Sequence, residues 1–302
     1  MAKHLIIFGA GASHGSDDTK LTPPLGGIDL FNALVSFNPS GWGKLTETQA
    51  QLFQDDFEKG MEAIFKTQPA NMLPLQRAMA AYFFGFKPKA SNLYFELAKK
   101  ITDSNWDGAI ATLNYEQLLT ISLNAAGNKP FVGKKDEITD KDIEICIPHG
   151  SCNIFCTSVQ ANTTTLFSNC NVDGPIKLIS KPDEFKKEIE NNQIPPAMSY
   201  FTPSKDTMSG VSFIENQRKR LEELIEEAAT ICIVGIKTRL HDEHIWEPLL
   251  KTDANIIYCS GKTAGEEFKS WSEKFRADKN DEILFSYFDD AFQKICSSIG
   301  LS

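Results

Sequence analysis

Three short segments of the sequence contain residue types that could bind a nucleotide and place polar groups beside it. Residues 9–13 read Gly-Ala-Gly-Ala-Ser, residues 112–116 read Thr-Leu-Asn-Tyr-Glu, and residues 148–151 read Pro-His-Gly-Ser. Glycines let a backbone approach a phosphate closely, and the exposed amides at a helix start bind it. An unperturbed histidine titrates near pH ~6.5, which suits proton transfer at neutral pH. The three segments together indicate a nucleotide-binding site with an amide and an imidazole close to it.

Neither glycine-containing segment completes a standard nucleotide-binding fingerprint. After residues 9–13, the third glycine of the dinucleotide pattern is replaced by His14, and prolines at 23 and 24 break the helix that should follow. A dehydrogenase-type Rossmann unit is therefore disfavoured, and a tight turn without a ligand is the alternative. Residues 260–263 read Ser-Gly-Lys-Thr, like the end of a P-loop, but its first glycine is replaced by Ile256. We therefore reject an ATP site there.

The asparagine and the histidine also have structural interpretations. Taken alone, Asn114 is best explained as the N-cap of a helix over residues 115–126. A lone histidine such as His149 is more often structural than catalytic. However, both residues follow predicted strands, and open α/β sheets bind ligands at the carboxyl ends of their strands. The combination of both residues with the glycine turn favours a ligand site.

The elements that must position these residues alternate between strand and helix. Apolar, β-prone runs predict strands at residues 4–8, 108–113, 143–148, 176–180, 231–235, 255–259 and 283–287. Such alternation is typical of an α/β protein with a Rossmann-like, mostly parallel sheet. Residues 41–105 instead read as consecutive helices, the first over 46–68. We therefore expect a single domain over residues 1–302 with a helical insertion at about 41–105.

Composition excludes several classes of protein. The chain has 302 residues, with 31 basic and 40 acidic side chains and a net charge of -9. An acidic chain has no general attraction for nucleic acid, and the basic run at residues 218–220 is expected to be a solvated helix face. No apolar run reaches the roughly 18 residues of a membrane span. Seven cysteines, an odd number, fit reduced thiols in a cytoplasmic protein.

The order of the motifs resembles the SIR2 (sirtuin) superfamily. The three segments above are followed by Ile-Val-Gly at residues 233–235, and the Pro-Pro-Leu-Gly stretch at 23–26 also matches. The set is most similar to SIR2-like NAD-consuming effectors of bacterial antiphage defence. Deacylating sirtuins carry an Ile-Pro-Asp-Phe-Arg stretch that this chain lacks, and the usual aspartate two residues after the asparagine is Glu116 here. The resemblance implies a sirtuin-like fold.

The resemblance also implies a hydrolase, an NADase that cleaves NAD+ to nicotinamide and ADP-ribose in antiviral defence. In that chemistry Asn114 would orient the attacking water or a ribose hydroxyl, and His149 would act as a base. Gly235 and Ser260 would lie near the adenine ribose, and the amides of residues 9–13 would hold the pyrophosphate. The residues expected to bind NAD+, which is the substrate, are Gly9, Ala10, Gly11, Ala12, Ser13, Thr112, Glu116, Gly150, Gly235 and Ser260.

Two other functions are possible on the same residues. An NAD-dependent protein deacylase is disfavoured because zinc-binding sirtuins carry two Cys-x-x-Cys pairs, whereas Cys152, Cys156 and Cys170 form an incomplete set. We therefore expect no metal. A non-catalytic module that senses NAD or ADP-ribose is the second alternative. Cyclisation of ADP-ribose, instead of hydrolysis, also stays open.

An NADase must be held in check, because unrestrained NAD+ cleavage would harm the host cell. This need for control predicts partners. We expect a homo-oligomer, and the resemblance suggests a HerA-like ATPase as a possible partner. The helical insertion is the candidate interface because it is rich in aromatic residues. These rings, which could instead pack onto the sheet, are Phe53, Phe57, Phe65, Tyr82, Phe83, Phe84 and Phe86.

Overall fold

The computed structural model describes residues 3–16, 18–19, 21–24, 26–133, 142–157, 171–202 and 205–301. The chain divides into two compact units, each built from separate stretches of sequence. The first unit comprises Met1–Pro23, Phe86–Pro148 and Gln217–Ser302, and the second comprises Pro24–Gly85 and His149–Asn216.

Strands and helices alternate through most of the chain. The strands are β1 (His4–Phe8), β2 (Gly108–Thr112), β3 (Lys129–Phe131), β4 (Asp142–Cys146), β5 (Ile154–Cys156), β6 (Ile176–Leu178), β7 (Thr230–Val234), β8 (Asn255–Cys259) and β9 (Glu282–Leu284). The helices are α1 (Ala10–His14), α2 (Gly27–Phe37), α3 (Glu47–Asp55), α4 (Phe57–Thr67), α5 (Pro69–Phe84), α6 (Leu93–Thr102), α7 (Leu118–Ala125), α8 (Pro182–Asn191), α9 (Val211–Glu227), α10 (Glu243–Lys251), α11 (Lys262–Phe275) and α12 (Phe288–Ser298).

The first unit is built on a seven-stranded sheet in the order β3-β4-β2-β1-β7-β8-β9. Its neighbouring strands pair in parallel, with β1 in the centre between β2 and β7. The predicted α/β class with a Rossmann-like parallel sheet is therefore confirmed. The carboxyl ends of the central strands meet at one edge of this sheet, which is where the sequence placed the ligand-binding segments.

Helices cover both faces of the sheet. On one face, Leu5 and Ile7 of β1 share a core with apolar side chains of α9, α10 and α11. On the other face, the Phe8 ring lies 5.1 Å from Tyr94 of α6 and 5.5 Å from Phe288 of α12. Burial of both faces explains why the strands read as continuous apolar runs in the sequence. Within the described residues, no helix is both long enough and apolar enough to cross a bilayer.

The second unit combines helices α2–α5 and α8 with the two-stranded antiparallel sheet β5–β6. It overlaps the predicted insertion at residues 41–105, but it begins at residue 24 and takes a second stretch from 149–216, whereas α6 lies in the first unit. The single helix predicted over residues 46–68 is two helices. Asp56 separates them because its carboxylate accepts the amides of Glu58 and Lys59 and so caps α4.

The aromatic residues of the predicted insertion do not form an exposed surface. Phe53 and Phe57 are buried in the second unit, where they pack with Phe31, Trp42 and Phe201. Tyr82, Phe83, Phe84 and Phe86 are buried as well, and of the predicted set only Phe65 is exposed, at 37%. The prediction that these rings supply an interface is therefore wrong, since helices of the unit itself cover most of them.

The basic run at residues 218–220 is only partly solvated. Arg220 is buried, and its guanidinium contacts both carboxylate oxygens of Glu144, at 2.6 and 3.1 Å. Glu223 and Glu227 of the same helix add further bonds to Arg220. These acidic side chains raise the pKa of Arg220 further above its already high value. Arg220 therefore joins α9 to β4, and the expectation of a fully solvated basic face was wrong for this residue.

Candidate functional site

The glycine turn of residues 9–13 lies against the carboxyl end of β7. The Gly9 amide donates to the Val234 carbonyl at 2.9 Å, and the Gly11 amide donates to Gly235 at 3.0 Å. The Ala12 amide donates back to Gly9, also at 3.0 Å. Three of the five amides that the sequence assigned to the pyrophosphate therefore already have carbonyl partners.

Gly235 fits this turn because it has no side chain. Its φ of +68° lies in the left-handed region, and a Cβ on it would lie 2.1 Å from the Ala12 nitrogen. A Cβ on Gly9 would in turn lie 2.7 Å from the Gly235 carbonyl oxygen. Close packing between two backbones therefore requires these glycines. The sequence placed Gly235 near the adenine ribose, and the structure places it directly against the glycine turn.

The hydroxyl of Ser13 joins three polar side chains in the first unit. Ser13 Oγ donates to Glu116 Oε1 at 2.6 Å and accepts from Asn114 Nδ2 at 2.8 Å. The hydroxyl of Tyr94 lies 3.0 Å from the same Ser13 Oγ. A serine hydroxyl has one proton and two lone pairs. Because Glu116 takes the proton, Tyr94 is the donor in its bond to Ser13.

The side chain of Asn114 is fixed in orientation, and its Oδ1 is free to accept a hydrogen bond. Its side-chain amide donates to the Gly9 carbonyl at 3.0 Å and to Ser13, which uses both of its N–H groups. Among the described residues, no hydrogen bond is made to its Oδ1, so this oxygen is available to accept one. Asn114 does not cap the following helix, because α7 begins at Leu118 with Gln117 at the N-cap position. The capping interpretation of Asn114 was therefore wrong.

The carboxylate of Glu116 supports this arrangement from both of its oxygens. Oε1 accepts from Ser13, and Oε2 accepts from the Leu118 amide at the start of α7. Burial raises the pKa of Glu116 above its ordinary value, although both of these bonds oppose that shift. Burial beside Glu116 also raises the pKa of Tyr94, which keeps the phenol protonated as a donor. Glu116 therefore links the Ser13 cluster to α7.

Two other predicted residues of the first unit lie at strand ends. Thr112 ends β2, and its hydroxyl accepts from the Asn114 backbone amide at 3.2 Å, so it supports the cluster. Ser260 follows β8, and its amide donates to the Leu284 carbonyl at 3.3 Å. Among the described residues, no hydrogen bond joins Ser260 to Ser13, Asn114 or Glu116.

His149 and Gly150 belong to the second unit. His149 is 6% exposed, and its carbonyl accepts from the Ser199 amide at 2.9 Å. Gly150 has a φ of +79°, and a Cβ there would lie 1.9 Å from the Ala197 carbonyl oxygen. The close approach that this glycine permits is therefore to Ala197. Cys152 and Cys156 are buried in the same unit, and Cys170 lies outside the described residues.

Sequence reasoning missed Tyr94 as a member of the cluster. The sequence assigned the predicted insertion at about 41–105 to consecutive helices, and Tyr94 lies in that range without a role. The structure buries Tyr94 together with Leu97 and Ile101, with Leu93 only half-buried. Tyr94, Leu97 and Ile101 have the i, i+3, i+7 spacing of one helix face, so the apolar pattern alone could have indicated that Tyr94 is buried.

Replacement of Gly235 by alanine should destabilise the protein more than the same change at Gly127. Gly127 also has a positive φ, +93°, but apart from its two chain neighbours no atom of the described residues lies within 4 Å of a Cβ built there. We expect Gly127→Ala to cost about 1 kcal/mol through backbone strain, and Gly235→Ala roughly 3 kcal/mol or more through strain and overlap. Urea denaturation of both variants measures the difference. Equal losses would show that the close contact with the glycine turn is absent.

Replacement of Glu116 by glutamine should change how stability depends on pH. Because burial raises the pKa of Glu116, the folded protein holds this proton more tightly than the unfolded chain. The wild type should therefore lose unfolding free energy relative to Glu116→Gln as the pH rises from 4.5, the ordinary value, through the raised pKa. Melting temperatures measured across this range test the sign.

The control for loss of one carboxylate is Glu96→Gln, which removes an exposed side chain paired with Lys99 on α6. The melting temperature of Glu96→Gln should not rise relative to that of the wild type as the pH rises above 4.5. If the melting temperature of Glu116→Gln instead fell relative to the wild type as the pH rose, the bonds from Ser13 and Leu118 would outweigh burial.

Comparison with known proteins identifies the fold. No protein-family model matches the sequence. No curated protein matches it either. A solved structure of a mutant Sir2 homologue in complex with ADP-ribose is similar over 99% of this chain and 92% of its own, with a TM-score of 0.52 at 14% identity. A Sir2 homologue–NAD complex is similar over 100% of this chain and 91% of its own, with a TM-score of 0.51 at 12% identity. The chain therefore has a SIR2-like fold.

Proposed function

We propose that this protein is an NAD+ glycohydrolase that releases nicotinamide and ADP-ribose. The observation that carries the proposal is the fixed Asn114 side chain, which presents a single hydrogen-bond acceptor beside a glycine turn at the carboxyl edge of the sheet. Structures with the same fold hold NAD or ADP-ribose, which supports NAD+ as the ligand. The order of motifs supports the same substrate.

The acceptor of Asn114 suits a reaction in which water is the nucleophile. The bond between the ribose C1′ and the nicotinamide nitrogen breaks, its electron pair leaves with nicotinamide, and an oxocarbenium-like centre forms. If Asn114 Oδ1 accepts one hydrogen of a water molecule, an oxygen lone pair of that water can turn toward C1′. Oriented water then forms the C1′–O bond and releases a proton, so that NAD+ and water yield nicotinamide, ADP-ribose and H+.

The remaining predicted residues keep the roles that the resemblance implies. His149 would accept the proton of the water or of a ribose hydroxyl, as its type allows near neutral pH. The glycine turn would contact the pyrophosphate, for which the amides of Ala10 and Ser13 have no bonds to carbonyls outside α1 among the described residues. Thr112 and Glu116 would act by holding Asn114 and Ser13 in place. We also propose that NAD+ contacts Gly150, Gly235 and Ser260.

The cellular role follows from the resemblance alone. Depletion of NAD+ would serve antiviral defence in the cytoplasm, and control would come from self-association or from a HerA-like ATPase. The aromatic residues of the second unit do not favour either arrangement, because most of them are buried. We expect no metal, because Cys152, Cys156 and Cys170 form an incomplete set of zinc ligands.

Asn114→Ala and His149→Ala should each lower the rate constant for nicotinamide release by roughly 10²–10³-fold. The measurement is nicotinamide and ADP-ribose formation from NAD+ by the purified protein at saturating substrate. Asn128→Ala is the matched control, because Asn128 is 7% exposed and its Nδ2 also donates to a carbonyl (Ala98) and a hydroxyl (Thr102). This control should lose stability but retain most of its activity.

Three results would contradict parts of the proposal. A wild-type protein that binds NAD+ without cleaving it would be a sensor, not an enzyme. Nicotinamide release that requires an acylated peptide would indicate a deacylase. A fully active Asn114→Ala variant would remove the water-orienting role.

A further inference from the structure

The backbone around His149 is held by a neighbouring segment of the second unit. The Ser199 amide donates to the His149 carbonyl at 2.9 Å, and the Ser151 amide donates to the Ala197 carbonyl at 3.0 Å. Gly150 and Met198 pair as an antiparallel bridge between these two bonds. Residues 197–199 therefore fix the path of the chain from which the His149 imidazole projects.

A buried glutamine anchors the centre of that segment. Gln76 lies inside α5 with no exposed surface, and its Nε2 donates to the Met198 carbonyl at 2.7 Å. Its Oε1 is buried and has no hydrogen-bond partner among the described residues. A half-satisfied amide in a core destabilises a fold relative to an apolar side chain of the same shape. The buried neighbours of Gln76 along α5 include Met72 and Met79, so an apolar residue would suit this helix.

Further contacts hold the chain that follows Met198. Thr207 Oγ1 lies 3.3 Å from the same Met198 carbonyl, and the Tyr200 amide donates to the Asp206 carbonyl at 2.7 Å. The ammonium of Lys205 pairs with the carboxylate of Glu58 on α4, and both side chains are buried. Helix α5 therefore anchors this part of the chain at Met198, through Gln76, and helix α4 anchors it at Lys205.

We propose that Gln76 is a positioning residue that sets the place of His149 through Met198 and the paired backbone of residues 197–199. The significance of this role for catalysis rests on the proposed function, in which His149 is the base. Among the described residues, no hydrogen bond joins Gln76 to the imidazole of His149, and Gln76 has no exposed surface with which to contact a ligand. Its loss should therefore displace His149 without removing a contact to NAD+.

The test compares Gln76→Met with Trp42→Phe. Each change removes one buried side-chain N–H bond to a backbone carbonyl of the second unit, because Trp42 Nε1 donates to the Leu75 carbonyl at 3.1 Å. Amide hydrogen exchange at Ser151 and Ser199 should become at least about tenfold faster in Gln76→Met and stay unchanged in Trp42→Phe. For NAD+ cleavage, Gln76→Met should lower kcat roughly 10–100-fold with KM changed less than about twofold.

A second variant covers the case in which Gln76→Met does not fold. Thr207→Val removes a hydroxyl that lies 3.3 Å from the Met198 carbonyl and 3.1 Å from the Ser209 carbonyl. Because its one proton is shared between the two carbonyls, this change should shift exchange and kcat in the same direction, by a smaller factor. If a folded Gln76→Met keeps wild-type exchange at Ser151 and Ser199, or if faster exchange leaves kcat unchanged, the positioning role is wrong. A wild-type protein that does not cleave NAD+ would overturn the proposed function instead, and the exchange measurement would still decide whether Gln76 holds the His149 backbone.

Discussion

One serine proton determines the orientation of the polar groups around the glycine turn. Ser13 donates to Glu116, so its two lone pairs must accept from Asn114 and Tyr94. The other N–H of Asn114 donates to the Gly9 carbonyl. Asn114 is then left with a single hydrogen-bond acceptor, its Oδ1. A reversed hydroxyl would leave the Glu116 oxygen facing a lone pair of Ser13, which burial makes expensive.

The fold brings these residues together because parallel strands end at the same edge of the sheet. β1 leads into Ser13 and β2 leads toward Asn114, and these two strands are neighbours in register over five residue pairs. Tyr94 reaches the same point from α6, which packs on the face of the sheet that contains Phe8. Gly235, at the end of β7, allows the turn to approach from the other side. The cluster is therefore a product of tertiary packing between four separate stretches of chain.

Hydrophobic patterning was enough to predict the class of fold, the central strands and the residues at their ends. It was not enough where a polar side chain bonds to a distant element. Taken alone, Asn114 was best explained as a cap of its own helix, because sequence shows local caps but not the carbonyl of Gly9, 105 residues away. Arg220 was assigned to the solvent because its partner Glu144 lies on a strand 76 residues earlier. The break at Asp56 was overlooked because apolar periodicity continues across it, although an aspartate is a typical N-cap.

The most direct test of the Ser13 cluster is the rate constant for nicotinamide release from saturating NAD+ by a Ser13→Ala variant. Ser122→Ala is its control, since Ser122 is fully buried and its hydroxyl has no partner among the described residues. With Ser13 removed, Asn114 and Tyr94 lose their common partner, and the rate constant should fall at least about tenfold, whereas Ser122→Ala should match the wild type. A Ser13→Ala variant that cleaves NAD+ at the wild-type rate would contradict the account.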